Sequence, residues 1–184
     1  MAGVQHVTES TMQVLTLVLG GARSGKSRYA EKLIAALPPP WTFVATAEAG
    51  DDEMAARIEA HRARRGTDWR TVEAPRDLPG AVAAAPVGNA VLVDCLTLWL
   101  NNLMLAEADV VAEAVRLDEV LAQAKVPIVL VSNEVGAGIV PDNALARSFR
   151  DAQGRLNQQM AARAHSVVLM IAGLPLVVKW TGGL

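Results

Sequence analysis

Short, continuous apolar runs punctuate the chain, and between them the apolar spacing lengthens to three and four residues. Val14-Leu15-Thr16-Leu17-Val18-Leu19 is rich in branched side chains, the pattern of a strand buried on both faces. Tyr29, Leu33, Ile34 and Leu37 then fall at helical spacing over 28–37. Trp41-Thr42-Phe43-Val44-Ala45-Thr46, Ala90-Val91-Leu92-Val93-Asp94 and the run over 126–132 repeat the strand pattern. Trp69-Arg70-Thr71-Val72-Glu73 alternates like a short strand. Helices are predicted over 51–65, 96–106, 110–125 and 143–164, the first with acidic residues at its N-terminus, where the helix dipole favours them. The chain closes on Ser166-Val167-Val168-Leu169-Met170-Ile171, a tight turn at Gly173 and a last strand over 174–179. Strands alternating with helices imply an α/β fold: a mostly parallel sheet with right-handed crossovers, helices on both faces and a C-terminal strand pair closing the sheet. Pro38-Pro39-Pro40 and the small-residue stretch 81–85 read as loops or helix ends. The expected organisation is a polar, flexible extension over 1–13 and one domain over 14–184.

One junction between strand and helix carries chemistry. Gly20-Gly21-Ala22-Arg23-Ser24-Gly25-Lys26-Ser27 fits G-x-x-x-x-G-K-[ST], the phosphate-binding P-loop, and it joins the first strand to the first helix as the motif requires. Glycines let the backbone curl until successive N–H groups point at phosphate oxygens, and the helix N-terminus adds partial positive charge. Lys26 can reach the β- and γ-phosphates, and the Ser27 hydroxyl can ligate Mg²⁺. The fold expected is therefore P-loop NTPase-like. Val91-Leu92-Val93-Asp94 adds the Walker-B pattern, an apolar strand ending in an acid that can help hold Mg²⁺. No tightly bound cofactor is expected beyond Mg²⁺ with GTP or ATP as substrate.

Composition narrows the picture. Of 184 residues, 52% are hydrophobic and 20% charged, which excludes an extensively disordered chain. A net charge of -2 gives no bulk attraction for nucleic acid. Cys95 is the single cysteine, so no intrachain disulfide and no cysteine-based zinc site can form. No apolar run approaches the roughly 20 residues needed to span a bilayer, and 1–12 lacks a signal-peptide core. A cytoplasmic protein is expected.

Other polar residues read two ways. Asp51-Asp52-Glu53 can bind metal, but a helix cap with dipole-stabilising acids is the simpler account. Asn133-Glu134 follows the 126–132 strand, so both side chains can face the same crevice; Glu134 can position a ligand or cap the next segment. His6 and His165 read as structural. His61 lies three residues after Ile58 and seven after Met54, on their helical face, with Arg57 and Arg64 at helical spacing. Spacing alone favours a core-edge histidine, and the arginines of 57–65, without interleaved aromatics, do not make a nucleic-acid surface.

Taken together, these segments resemble one family. They are the P-loop with Arg28, Val44-Ala45-Thr46-Ala47, Asp52-Glu53-Met54-Ala55-Ala56-Arg57-Ile58, His61-Arg62 and Trp69-Arg70-Thr71-Val72-Glu73, followed by Asp94-Cys95-Leu96-Thr97-Leu98-Trp99-Leu100. Ser132-Asn133-Glu134-Val135-Gly136, Ile139-Val140-Pro141, Phe149-Arg150-Asp151 and Gly154-Arg155-Leu156-Asn157-Gln158 complete the set. The chain resembles the bifunctional adenosylcobinamide kinase / adenosylcobinamide-phosphate guanylyltransferase family of cobalamin biosynthesis. The resemblance implies two reactions: phosphorylation of adenosylcobinamide by ATP or GTP, then transfer of GMP from GTP through a guanylylated histidine to adenosylcobinamide phosphate. It places that histidine at His61, in Arg57-Ile58-Glu59-Ala60-His61-Arg62, and so reverses the reading from spacing. It also implies that Ala45, Thr46, Ala47, His61, Arg62, Ala63, Arg64, Glu73 and Asp94 join the P-loop in contacting GTP, with Glu73 accepting from guanine, and that the enzyme is a homotrimer.

Two rivals remain at this stage. A kinase without nucleotidyl transfer needs the P-loop and Asp94 but has no use for His61. A GTP switch needs D-x-x-G after a strand; Asp151-Ala152-Gln153-Gly154 matches the letters but falls in a helical pattern, and no N-K-x-D is present.

Overall fold

In a computed structural model, residues 15–48 and 66–181 are described. The expected extension over 1–13 and the helix over 51–65, with Asp51, Asp52, Glu53, Arg57, His61, Arg62, Ala63 and Arg64, lie outside the described residues.

The apolar runs become strands of one seven-stranded sheet. They are β1 (Leu15–Gly20), β2 (Trp41–Ala45), β3 (Trp69–Glu73), β4 (Ala90–Asp94), β5 (Ile128–Asn133), β6 (Ser166–Ile171) and β7 (Leu174–Trp180). The described helices are α1 (Lys26–Ala35), α2 (Leu78–Ala83), α3 (Leu96–Leu105), α4 (Val110–Gln123) and α5 (Ala144–Arg163). The strand order is β3-β2-β4-β5-β1-β6-β7, parallel throughout except for the antiparallel pair β6 and β7.

Period-two alternation divides the core into two layers. Leu15, Leu17, Val91, Val93, Ile128 and Leu130 pack on one side against residues of α2 to α5. Val18, Leu92, Val129 and Val131 point to the other side, against Ala30 and Ile34 of α1. Side-chain parity along a strand therefore tells which residues face α1.

Three findings differ from the sequence reading. Helix α1 begins at Lys26, two residues early, so the P-loop lysine and serine stand in its first turn. Strand β5 runs on to Asn133. Helix α2 was not predicted; Asp77 caps it by accepting from the Gly80 N–H, and Pro79 sits in its first turn. Of the two readings of 81–85, loop or helix end, the structure shows the helix end.

Candidate functional site

The P-loop gathers at the C-terminal ends of the parallel strands, where ligands of open α/β sheets bind. Gly20 has φ 151°, and a Cβ there would stand 2.6 Å from both the Met170 carbonyl and Ser24 Oγ. Gly25, left-handed at φ 97°, is the N-cap of α1 and offers no side chain to its orphan amides. The first turn carries no acid. A phosphate is the natural occupant of such a helix end. Lys26 is only 7% exposed, and its ammonium donates to the Gly21 carbonyl and, at 3.5 Å, to Ser24 Oγ. A phosphate oxygen is a stronger, charge-assisted acceptor than either.

The turn between β6 and β7 braces this loop. The Gly173 N–H donates to the Ser24 carbonyl at 3.0 Å, and Gly173 Cα lies 3.4 Å from where a Gly25 Cβ would stand.

Register places the remaining candidates. Ala45 pairs with Glu73 on one side and with Asp94 on the other, and Asp94 pairs with Val131 of β5. By parity, Asp94 follows Leu92 on the α1 side, and Glu73 follows Trp69 there, two pairs on. Strand β5 separates β4 from β1, so Asp94 lies two strand spacings, about 10 Å, from the P-loop strand. Glu73, on the edge strand, lies four spacings away, about 19 Å. Glu73 is exposed and lines an open groove of about 620 Å³ with Glu48, Arg76, Asp77 and Gly80. Ala47 is half-buried just beyond β2.

Thr46 has a different place. It is fully buried; its hydroxyl donates to the Cys95 carbonyl at 2.7 Å and accepts from the Cys95 N–H at 2.8 Å. Its side chain thus ties β2 to the end of β4. Burial, reinforced by the Asp94 charge, pushes the Cys95 thiol up to about 11, so it is protonated at neutral pH and no nucleophile.

Helix α3 supplies residues that sequence reasoning missed. Thr97 Oγ1 accepts from the Asn133 N–H at 2.8 Å, and Trp99 Nε1 donates to the Arg76 carbonyl at 2.7 Å. Asn102 Nδ2 donates to the carbonyls of Thr46 at 2.8 Å and Pro75 at 3.0 Å. One helix thereby fixes the ends of β2, β3 and β5. The signal was Thr97 and the Asn101-Asn102 pair inside an otherwise apolar helix. Asn102→Leu leaves both carbonyls unpaired in a buried setting, and we expect a loss of about 2–4 kcal/mol. The corresponding fall in Tm, about 5–10 °C, is readable by calorimetry.

Below β5, a buried polar cluster does similar work. Ser132 Oγ donates to Asn157 Oδ1 at 2.7 Å, and Gln153 Nε2 donates to both at 3.0 and 2.9 Å. Asn157 Nδ2 donates to the Asn133 carbonyl at 3.0 Å. Asp151-Ala152-Gln153-Gly154 is therefore mid-helix in α5, with Gln153 wholly buried, and is no switch loop. Glu134 folds back so that its Oε1 accepts from the Gly136 N–H at 2.6 Å, the capping alternative. His165 lies exposed, its backbone bonded to Leu15 and Thr181. Among the described residues no group of three or more His, Cys, Asp or Glu side chains gathers as metal ligands. No described helix is long and apolar enough to cross a membrane.

A P-loop at the strand ends of a parallel sheet, with an acid one strand beyond its neighbour, defines an α/β P-loop nucleotide-binding enzyme. Solved structures share that fold: a type III secretion system ATPase from pathogenic bacteria (TM-score 0.53, 10% identity, 84% of this chain and 50% of that one) and the RadB recombinase (TM-score 0.50, 16% identity, 85% and 73%). The family is more specific. Residues 16–178 match the model for cobinamide kinase / cobinamide phosphate guanyltransferase, and the chain belongs to that family of cobalamin-biosynthesis enzymes. It is 47% identical over 166 residues to the bifunctional adenosylcobalamin biosynthesis protein CobP of Pseudomonas aeruginosa, covering 89% of this chain and 96% of that one. It is 43% identical over 183 residues to the bifunctional protein CobU of Salmonella typhimurium, covering 90% and 100%.

Proposed function

We propose that the two activities of the family run on one nucleotide site, with His61 as the covalent carrier of GMP. The single observation that supports one site is the row of strand ends: the P-loop at one end and Glu73 about 19 Å along the same sheet edge. That span suits a nucleoside triphosphate lying across the strands, phosphates at β1 and base near β3.

In the kinase reaction, the hydroxyl of the adenosylcobinamide side arm attacks the γ-phosphorus of ATP or GTP. A new P–O bond forms, the bond to the β,γ-bridging oxygen breaks, the nucleoside diphosphate leaves with the electron pair, and the hydroxyl proton is released to solvent. Lys26 and the loop amides stabilise the charge that develops on the phosphates. In the second reaction, an unprotonated His61 nitrogen attacks the α-phosphorus of GTP and pyrophosphate leaves with the electron pair. A phosphate oxygen of adenosylcobinamide phosphate then attacks the bound GMP phosphorus, and the N–P electrons return to the imidazole. Arg62 and Arg64 neutralise phosphate charge, and Ala45, Ala47 and Ala63 form the wall of the nucleotide site.

Ser27 and Asp94 fit Mg²⁺. Both offer hard oxygen donors on the α1 side, and Mg²⁺ held by one or two protein oxygens takes the rest of its shell from substrate phosphates and water. Bound there, Mg²⁺ would offset phosphate charge.

The chain is proposed to be one catalytic domain over 14–184 behind an extension over 1–13, working in the cytoplasm without nucleic acid. Self-association, which the family resemblance sets as a homotrimer, is supported by β7, an edge strand whose Leu174, Leu176, Val177, Val178 and Trp180 are all more than half exposed. Incubation with Mg²⁺ and GTP labelled at the α-phosphate, followed by denaturation, tests the carrier. Acid-labile, alkali-stable label on the protein is expected; absence of label where GTP demonstrably binds and turns over removes the histidine intermediate.

A further inference from the structure

Read along the sheet, the last α1-side residue of each strand from β3 to β1 gives a row: Glu73, Ala45, Asp94, Asn133, Gly20. Every member except Asn133 already has a place in the nucleotide site. We propose that the Asn133 side-chain amide donates a hydrogen bond to the terminal phosphoryl group of the bound nucleoside triphosphate, so that this residue reads whether a γ-phosphate is present.

Position carries the argument. Asn133 pairs in register with Gly20, the first residue of the P-loop, on the adjacent strand about 4.8 Å away. Val129 and Val131 face α1 and Ser132 faces α5, so parity turns the half-buried Asn133 side chain toward α1 and the loop. The Asn133 backbone is clamped from both directions, its N–H by Thr97 and its carbonyl by Asn157. Asn157 is itself held by Ser132 and Gln153. These bonds fix the Asn133 backbone and with it the direction of its Cα–Cβ bond. Among the described residues, no hydrogen bond engages the Asn133 amide, whereas the Glu134 carboxylate next to it is turned onto Gly136.

The chemistry fits the type of residue. The P-loop amides and Lys26 cradle the phosphates from the β1 side, and Asp94 stands beyond β5 on the other. An acid at position 133 would repel the phosphate chain, and a lysine would duplicate Lys26. A neutral amide gives a directional donor without changing the charge of the site. The proposal rests on the triphosphate lying in the P-loop, not on the identity of the histidine carrier.

The test is calorimetric titration of the full chain with Mg²⁺ and either a non-hydrolysable GTP analogue or GDP. For Asn133→Ala, the analogue is expected to bind about tenfold or more weakly, with GDP affinity unchanged. Asn133→Asp should weaken the analogue further, because it sets a carboxylate against the γ-phosphate; being isosteric, it also serves if the alanine variant fails to fold. Parallel weakening of both nucleotides would overturn the proposal and make Asn133 a strand-end support. Unchanged analogue binding would overturn it as well. If GDP failed to bind the unaltered protein, the P-loop assignment itself would fall, a result distinct from either.

Discussion

Lys26→Ala should cost about 10³-fold in kcat/KM for phosphoryl transfer and for guanylyl transfer alike. Both reactions need the same triphosphate held and its developing charge met, and no other described lysine or arginine stands in the first turn of α1 except Arg28. The ammonium is buried at the loop, where it donates to the Gly21 carbonyl and the Ser24 hydroxyl, so it has a short path to a phosphate oxygen. Losing it removes a charge from a place where solvent cannot substitute for it. Steady-state assays of the two half-reactions check this, and a kinase rate within a few-fold of the unaltered enzyme would mean that the phosphates are bound elsewhere.

The second large effect separates the two activities. His61→Ala is expected to reduce GMP transfer by more than about 10⁴-fold while kinase turnover persists, because a nucleophile has no substitute whereas a bystander to γ-phosphate chemistry does. Protein-bound α-label should vanish in the same variant. Full guanylyltransferase activity without His61 would show that GMP passes directly from GTP to the acceptor. Loss of both activities in equal measure would instead make His61 a nucleotide-binding residue.

Much of the fold was legible because strands buried on both faces leave long apolar runs, and β1, β2, β4 and β5 all do. Helix α2 was not, since a six-residue helix carrying Pro79 and Gly80 has too few turns for a period to emerge; only Asp77 signalled it. Strand order was equally hidden. Alternation of elements predicts parallel strands, but nothing local says that β5 inserts between β1 and β4.

The same blindness explains which site residues were found. Lys26, Ser27 and Asp94 announce themselves by motif. Asn133 is placed near the crevice by its position after a strand, but only register, which sets it opposite Gly20, and parity give it a face and a neighbour. Thr97, Trp99 and Asn102 act through backbone groups distant in sequence, and a one-dimensional reading has no access to those pairings.

The brace between Gly173 and Ser24 joins two parts of the molecule for which different partners are proposed. One end of that contact is the phosphate loop; the other is the turn that launches β7 with its exposed apolar side chains. A subunit seated on β7, as proposed above, would press on the turn, and a phosphate seated in the loop would fix it from within. Thermodynamic reciprocity then requires that whatever nucleotide does for assembly, assembly does for nucleotide affinity by the same factor. Protein concentration thus belongs among the variables of any nucleotide titration of this enzyme, alongside Mg²⁺ and temperature.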